Sequence, residues 1–328
     1  MTPPRGRLSR LREQGGGRNL VDPAALIRIA SLELRARMVV QGFWAGLHRS
    51  PAHGFSVEFT EYRQYTPGDD IRQLDWRVYA RSDRYFVRRF EDETNLRCYL
   101  LVDQSASMSY ASNSHSKSEY AATLAGTLGY FLYQQGDAVG MLSFDRGVID
   151  YLPARNRGGH LRQFMLALQK PAQGRGTDLT LPIRRIADLV TRRALVILVS
   201  DLLASPDALE PQLTYLRTCG HEVEIFHVLD PAEAEFPFTE AGRFHDVESE
   251  RHLHVDPGRA RETYLAGLER HTAYIRTMCN NLGIGFHPQQ TDRPIELALH
   301  DFLTHRSGRA RGITRQSAPR GAAIGGSS

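Results

Sequence analysis

Residues 96–107 read LRCYLLVDQSAS, an apolar run that stops at Asp103 and passes into an Asp-x-Ser-x-Ser sequence. A run this continuous lacks the alternation of a half-exposed strand and predicts a strand covered on both faces. Runs of the same texture follow at 138–144, 194–199, 223–229 and 284–287. Amphipathic stretches separate them. Ala121, Leu124, Ala125, Leu128 and Leu132 form a helical stripe closed by Gly136; Ser205-Pro206 opens a second helix that Gly220 ends, and Asp256-Pro257 opens a third. The alternation predicts an open, mainly parallel α/β sheet with helices on both faces and right-handed crossovers.

Upstream, Asp22-Pro23 reads as the N-cap and first residue of a helix reaching about Leu47, with Leu26, Ile29, Ala30 and Leu34 at helical spacing. The charged, aromatic stretch after it carries turn signals at Pro51, Gly54 and Thr66-Pro67-Gly68-Asp69, so short strands and turns are expected. The expected organisation is a disordered basic tail over 1–18, a helix and strand/turn segment over 19–94, the α/β domain over 95–305 and a second disordered basic tail over 306–328.

Charge follows the same division. Residues 1–18 hold five Arg and one Glu, and residues 306–328 hold five Arg and no acid, so a chain of net charge +4 has a body of about −5. The basic ends are expected to be solvated tails, and the acidic body disfavours a nucleic-acid-binding role. The longest apolar run, Ala194 to Val199, is too short to span a bilayer, and the opening residues lack a signal-peptide pattern. Cys98, Cys219 and Cys279 are widely spaced and odd in number, which argues against a disulfide framework. A cytoplasmic location is the expectation.

In open parallel sheets ligands gather outside the carboxyl ends of the strands. Asp103, Ser105 and Ser107 follow the first run, Ser200-Asp201 ends the run from Ala194, and the loop Gly174-Arg175-Gly176-Thr177-Asp178 precedes a helix. Three loops thus bring oxygen donors to one edge. Mg²⁺ suits such a set, because it takes six oxygens at about 2.1 Å, few of them carboxylates, and keeps several waters. Ser105 and Ser107 are expected to ligate directly, Thr177 directly or through water, and Asp103 and Asp201 through shared waters, with Asp103 as a water-exposed strand end. One position stays open for a carboxylate from another molecule.

Asp103, Ser105, Ser107, Thr177 and Asp201 resemble the metal-ion-dependent adhesion site of von Willebrand factor A domains, over roughly residues 95–305. Upstream, Gly54, Glu58-Phe59, Arg63-Gln64-Tyr65, Gly68-Asp69-Asp70, Arg72, Asp75-Trp76, Ala80-Arg81 and Phe90-Glu91-Asp92-Glu93 resemble the signature of a bacterial family called domain of unknown function 58. The resemblance implies a non-catalytic, metal-dependent protein-binding adaptor holding Mg²⁺ (or Mn²⁺ or Ca²⁺), with a MoxR-type AAA ATPase or its client as partner. Leu202 stands where adhesion domains often carry Gly after the aspartate. For Arg63, Tyr65, Gly68, Asp69, Asp70, Arg72, Asp75, Trp76 and Arg81 two readings stand, a structural Arg-Asp network anchored by Trp76 or a partner-docking surface.

Asp145 and Asp230 also end apolar runs and are assigned to turn or cap roles. A Mg²⁺-dependent phosphoryl-transfer or hydrolytic enzyme using Asp103 is the alternative. It lacks a second Asp two residues on, a placed general acid and a placed Lys. Phosphate-loop, His-Glu-x-x-His and Gly-x-Ser-x-Gly patterns are missing from the sequence.

Overall fold

A sheet of six strands organises the described part of the chain, which in this computed structural model comprises residues 20–48, 61–64, 86–89, 96–171, 179–245 and 252–316. Its strands are β3 (Arg97–Asp103), β4 (Ala138–Phe144), β5 (Val148–Arg155), β6 (Leu195–Ser200), β7 (Glu222–Leu229) and β10 (Gly285–Gln290), in the order β10-β7-β6-β3-β4-β5. All neighbours are parallel except β5, which runs antiparallel to β4 at one edge. Two hairpin pairs lie outside it, β1 (Glu61–Gln64) with β2 (Phe86–Arg89) and β8 (Gly242–His245) with β9 (His252–Val255). The chain divides into two compact units, one drawn from residues 19–43 and 97–328 and the other from residues 1–18 and 44–96, the latter holding β1 and β2.

The four inner strands are apolar because both faces are covered. Tyr99, Leu101, Leu142, Phe144, Val196, Leu198, Val223 and Ile225 face one core with residues of α5 (Thr180–Leu189), α6 (Pro206–Thr218) and α8 (Pro257–Leu282). The alternate residues face α3 (Lys117–Gln134), α4 (His160–Leu168) and α9 (Ile295–Gln316). Packing there is tight: a Cβ on Gly129 of α3 would lie 2.5 Å from the Phe164 ring of α4. The fold is an open, mainly parallel α/β sheet with helices on both faces, as the runs and stripes predict.

Helix punctuation follows the sequence closely. Gly136 and Gly220 adopt positive φ of 91° and 85° after α3 and α6, and Asp256 caps α8 by accepting the Gly258 N–H. The single helix expected from Asp22 is instead two, α1 (Pro23–Ile27) and α2 (Leu32–His48), broken near Ser31. Arg35 of α2 holds the break by donating to the Ile29 carbonyl and, at 3.3 Å, to Thr123 of α3. Residues 19–43, expected with the strand/turn segment, instead group with the sheet's unit, which resumes at Arg97. At the other end α9 runs to Gln316, so the expected tail from 306 begins as helix. The expected tail over 1–18 and residues 317–328 lie outside the described residues.

Candidate functional site

The site forms at the carboxyl edge, where β3 and β6 end side by side with Val102 opposite Val199. Asp103 is fully buried rather than water-exposed as expected. Its Oδ1 accepts the Ser105 N–H at 2.9 Å and its Oδ2 accepts the Ser200 hydroxyl at 2.6 Å. The first bond turns the chain sharply enough to bring Ser105 Oγ and Ser107 Oγ to 3.0 Å. Ser105 is the N-cap of a short 3₁₀ turn, Ala106–Ser109, that presents both hydroxyls. Burial, with the nearby charge of Asp201 adding to it, pushes the Asp103 carboxyl up to about 7, against the hydrogen bonds from Ser200 and Ser105.

Asp201 is equally buried, and its Oδ2 accepts from Lys117 Nζ at 2.9 Å. The same ammonium reaches Glu233 of α7 (Pro231–Glu235) at 2.7 Å. Burial alone would lower the Lys117 pKa, but the charges of Asp201 and Glu233 outweigh it and hold it above its ordinary value. Burial raises the Glu233 carboxyl despite that ammonium. The sequence reading found no placed lysine; the fold supplies one. Its position comes from the capping box Ser116–Glu119, which starts α3 with Lys117 as its first residue. His227 Nε2 lies 3.0 Å from the Asp201 carbonyl, and burial pushes the ring's pKa down to about 4.

The neighbouring acids behave as assigned. Asp145 accepts the Gly147 N–H at 3.0 Å in a turn, and Asp230 caps α7 through Ala232 N–H at 2.8 Å and ties in Ser112 N–H at 2.9 Å. Leu202, the departure from glycine, does adopt a left-handed backbone with φ 53°. It stays there because its side chain is buried in the sheet core, its N–H donates to Ser200 Oγ at 3.0 Å, and its carbonyl meets His271 Nε2 at 3.0 Å.

The structure therefore brings together Asp103, Ser105, Ser107 and Asp201, and adds Ser200, Lys117 and Glu233, which sequence reasoning did not assign to the site. Thr177 lies outside the described residues, as do Tyr65, Gly68, Asp69, Asp70, Arg72, Asp75, Trp76 and Arg81. Arg63 is on β1, paired with Val87 of β2.

The donor set fits a small hard cation. Adjacent ligands of an octahedral ion at about 2.1 Å are about 3.0 Å apart, which is the Ser105–Ser107 spacing. Burial first, and the nearby Asp201 second, raise the Asp103 pKa, and the single ammonium of Lys117 is shared between Asp201 and Glu233. A cleft of about 370 Å³ reaches Asp103 and Gln104 from the start of α3, between Ser116, Glu119 and Lys170.

Comparison with known proteins places the chain in a family. Residues 61–274 match the family described as Protein of unknown function DUF58, a span covering β1 through most of α8. The chain belongs to this family. Uncharacterized proteins of Mycobacterium tuberculosis and Mycobacterium bovis are each 29% identical to this DUF58 chain over 299 residues, covering 89% of it and 92% of their own length. Among solved structures, the conserved hypothetical protein BatB from Bacteroides thetaiotaomicron is similar at 14% identity and TM-score 0.45, over 65% of this chain and 99% of its own. The SpRpn10 VWA domain is similar at 10% identity and TM-score 0.38, over 61% and 92%.

Proposed function

We propose that this DUF58 protein is a metal-dependent protein-binding adaptor, without catalytic activity of its own, that acts with a MoxR-type AAA ATPase on client proteins. The observation that carries the reading is the buried set of Asp103, Ser105, Ser107 and Asp201 gathered at the carboxyl edge. Ser105 and Ser107 would hold Mg²⁺ directly, and Thr177 would complete the set. Asp103 and Asp201 would orient its waters, since all four of their oxygens already accept, from Ser105, Ser200, Lys117 and Leu203. The bound ion supplies a positive centre to which an acidic side chain of the partner adds. Lys117 moderates that centre by neutralising part of the charge on Asp201 and Glu233.

Pull-down of the partner with and without chelator tests this. Capture should be lost in chelator and in Ser105→Ala, and should fall nearly as far when the partner's acidic residue becomes its amide, a poorer Mg²⁺ ligand. Capture undiminished in excess chelator would overturn the metal bridge. Turnover of phosphate esters that disappears in Asp103→Asn would establish the enzyme alternative instead.

A further inference from the structure

A second cluster of ligand-type side chains lies away from the carboxyl edge. Glu224 is near the amino end of β7, with its side chain on the face covered by α9; His287 is on the neighbouring edge strand β10; His305 is on α9. The six residues from Glu224 to the strand end at Leu229 span about 17 Å, so this place is separate from the site around Asp103. His287 Nε2 is 2.7 Å from Glu224 Oε2, and His305 Nδ1 is 3.1 Å from Glu224 Oε1. Glu224 and His287 are buried, and His305 is partly exposed at the mouth. Among the described residues this is the group whose His, Cys or acidic ligand atoms all lie within 4.8 Å of one another.

We propose that Glu224, His287 and His305 form a binding site for a divalent transition-metal ion of the zinc class, clipping α9 to β7 and β10. Two imidazoles and a carboxylate are the donor types such ions select, whereas Mg²⁺ prefers oxygen alone. The gaps of 2.7 and 3.1 Å, each to a different oxygen of Glu224, are somewhat under the roughly 3.3 Å between neighbouring ligands of a tetrahedral ion with bonds near 2.0–2.1 Å, so the carboxylate would face the ion with both oxygens. Small side-chain shifts suffice to admit it. The ion takes the place of the hydrogens that bridge imidazole and carboxylate, and a water can fill a fourth position on the exposed His305 side.

The surroundings hold the ligands in place. A Cβ at Gly285, which pairs with Glu224 across the strands, would lie 1.7 Å from Glu224 Oε2, so glycine is what leaves room for the carboxylate. Phe226 stacks on the His287 ring with centroids 4.7 Å apart, and the His287 and His305 rings meet edge to face at 5.6 Å. Apolar walls of this kind orient ligands and exclude bulk water.

The test is titration of the untagged, chelator-stripped full chain with Zn²⁺ and with Co²⁺, in excess Mg²⁺ so that the carboxyl-edge site does not compete. A His252→Ala background removes the stacked surface pair His245–His252. One Zn²⁺ should bind, Co²⁺ should give the intense visible bands of a four-coordinate ion, and zinc should raise Tm. His305→Ala, at a partly exposed position, should keep the fold and weaken binding by roughly tenfold or more. Gly285→Ala should weaken it too while leaving all three ligands in the chain. Asp103→Asn should leave zinc binding unchanged, which separates this site from the proposed function. Zinc affinity unaltered in a folded His305→Ala variant, or failure of the parent chain to bind zinc, would overturn the proposal.

Discussion

Leu202 carries a conflict between backbone and side chain. Its left-handed φ of 53° costs about 1–2 kcal/mol for a residue with a Cβ, while its fully buried side chain contributes more than that to the core. Leu202→Ala should therefore lose about 2–5 kcal/mol, keeping the strain and opening a cavity. Leu202→Gly relieves the strain and should be at least as stable as the alanine variant, reversing their usual order; denaturant unfolding of the pair measures it. Lys117 is the other decisive residue. Lys117→Met leaves the buried Asp201 and the half-buried Glu233 without their cation and should cost about 3 kcal/mol. The same change should tighten Mg²⁺ binding, since the ammonium no longer neutralises Asp201. Calorimetry showing equal or weaker Mg²⁺ affinity in that variant would detach Lys117 from the site.

Among the elements, β5 is the informative one. It pairs antiparallel with β4 through register shifts, and Gly140 lies at the first, where a Cβ would stand 2.6 Å from the Ala154 nitrogen and the Leu152 carbonyl. Backbone cannot yield as a side chain can, so Gly140→Ala should cost about 3 kcal/mol and loosen the edge strand, seen as faster amide exchange across 148–155. β5 was also the sheet strand that sequence reading missed. Its half-exposed residues, including Val148, Ile149 and Tyr151, give neither an unbroken apolar run nor a clean alternation. The inner strands and the caps of α1 and α8 were legible because burial on two faces and capping chemistry act locally. The ends of β3 and β6 located Asp103 and Asp201 for the same reason. Lys117 was not legible as a site residue, since its partner Asp201 is 84 residues away and only the fold joins them. Nor was the burial of Asp103, which depends on Ser200 from another strand.

For the molecule as a whole, two buried groups set opposing pH dependences. His227 has a folded pKa of about 4, below its unfolded value near 6.5, so its contribution is present above pH 6.5 and lost as pH falls toward 4. Asp103 has a folded pKa of about 7, above its unfolded value near 3.9, so its contribution is present below pH 4 and lost as pH rises through 7. In the native chain the two offset each other between pH 4 and 6.5. Removing Asp103's share in Asp103→Asn should expose a loss of about 3 kcal/mol on acidification across that window, which the double variant with His227→Gln should lack. Chemical denaturation at a series of pH values, read as the difference between the two variants, measures it. The described residues contain no helix long and apolar enough to cross a membrane. The most direct measurement of the central claim is Mg²⁺ calorimetry on the full chain and on Asp103→Asn, with folding of both verified. One ion should bind the parent, and the variant's affinity should fall by roughly tenfold or more. Equal affinity in the two, or no binding to the parent, would contradict a metal-dependent adaptor built on this edge.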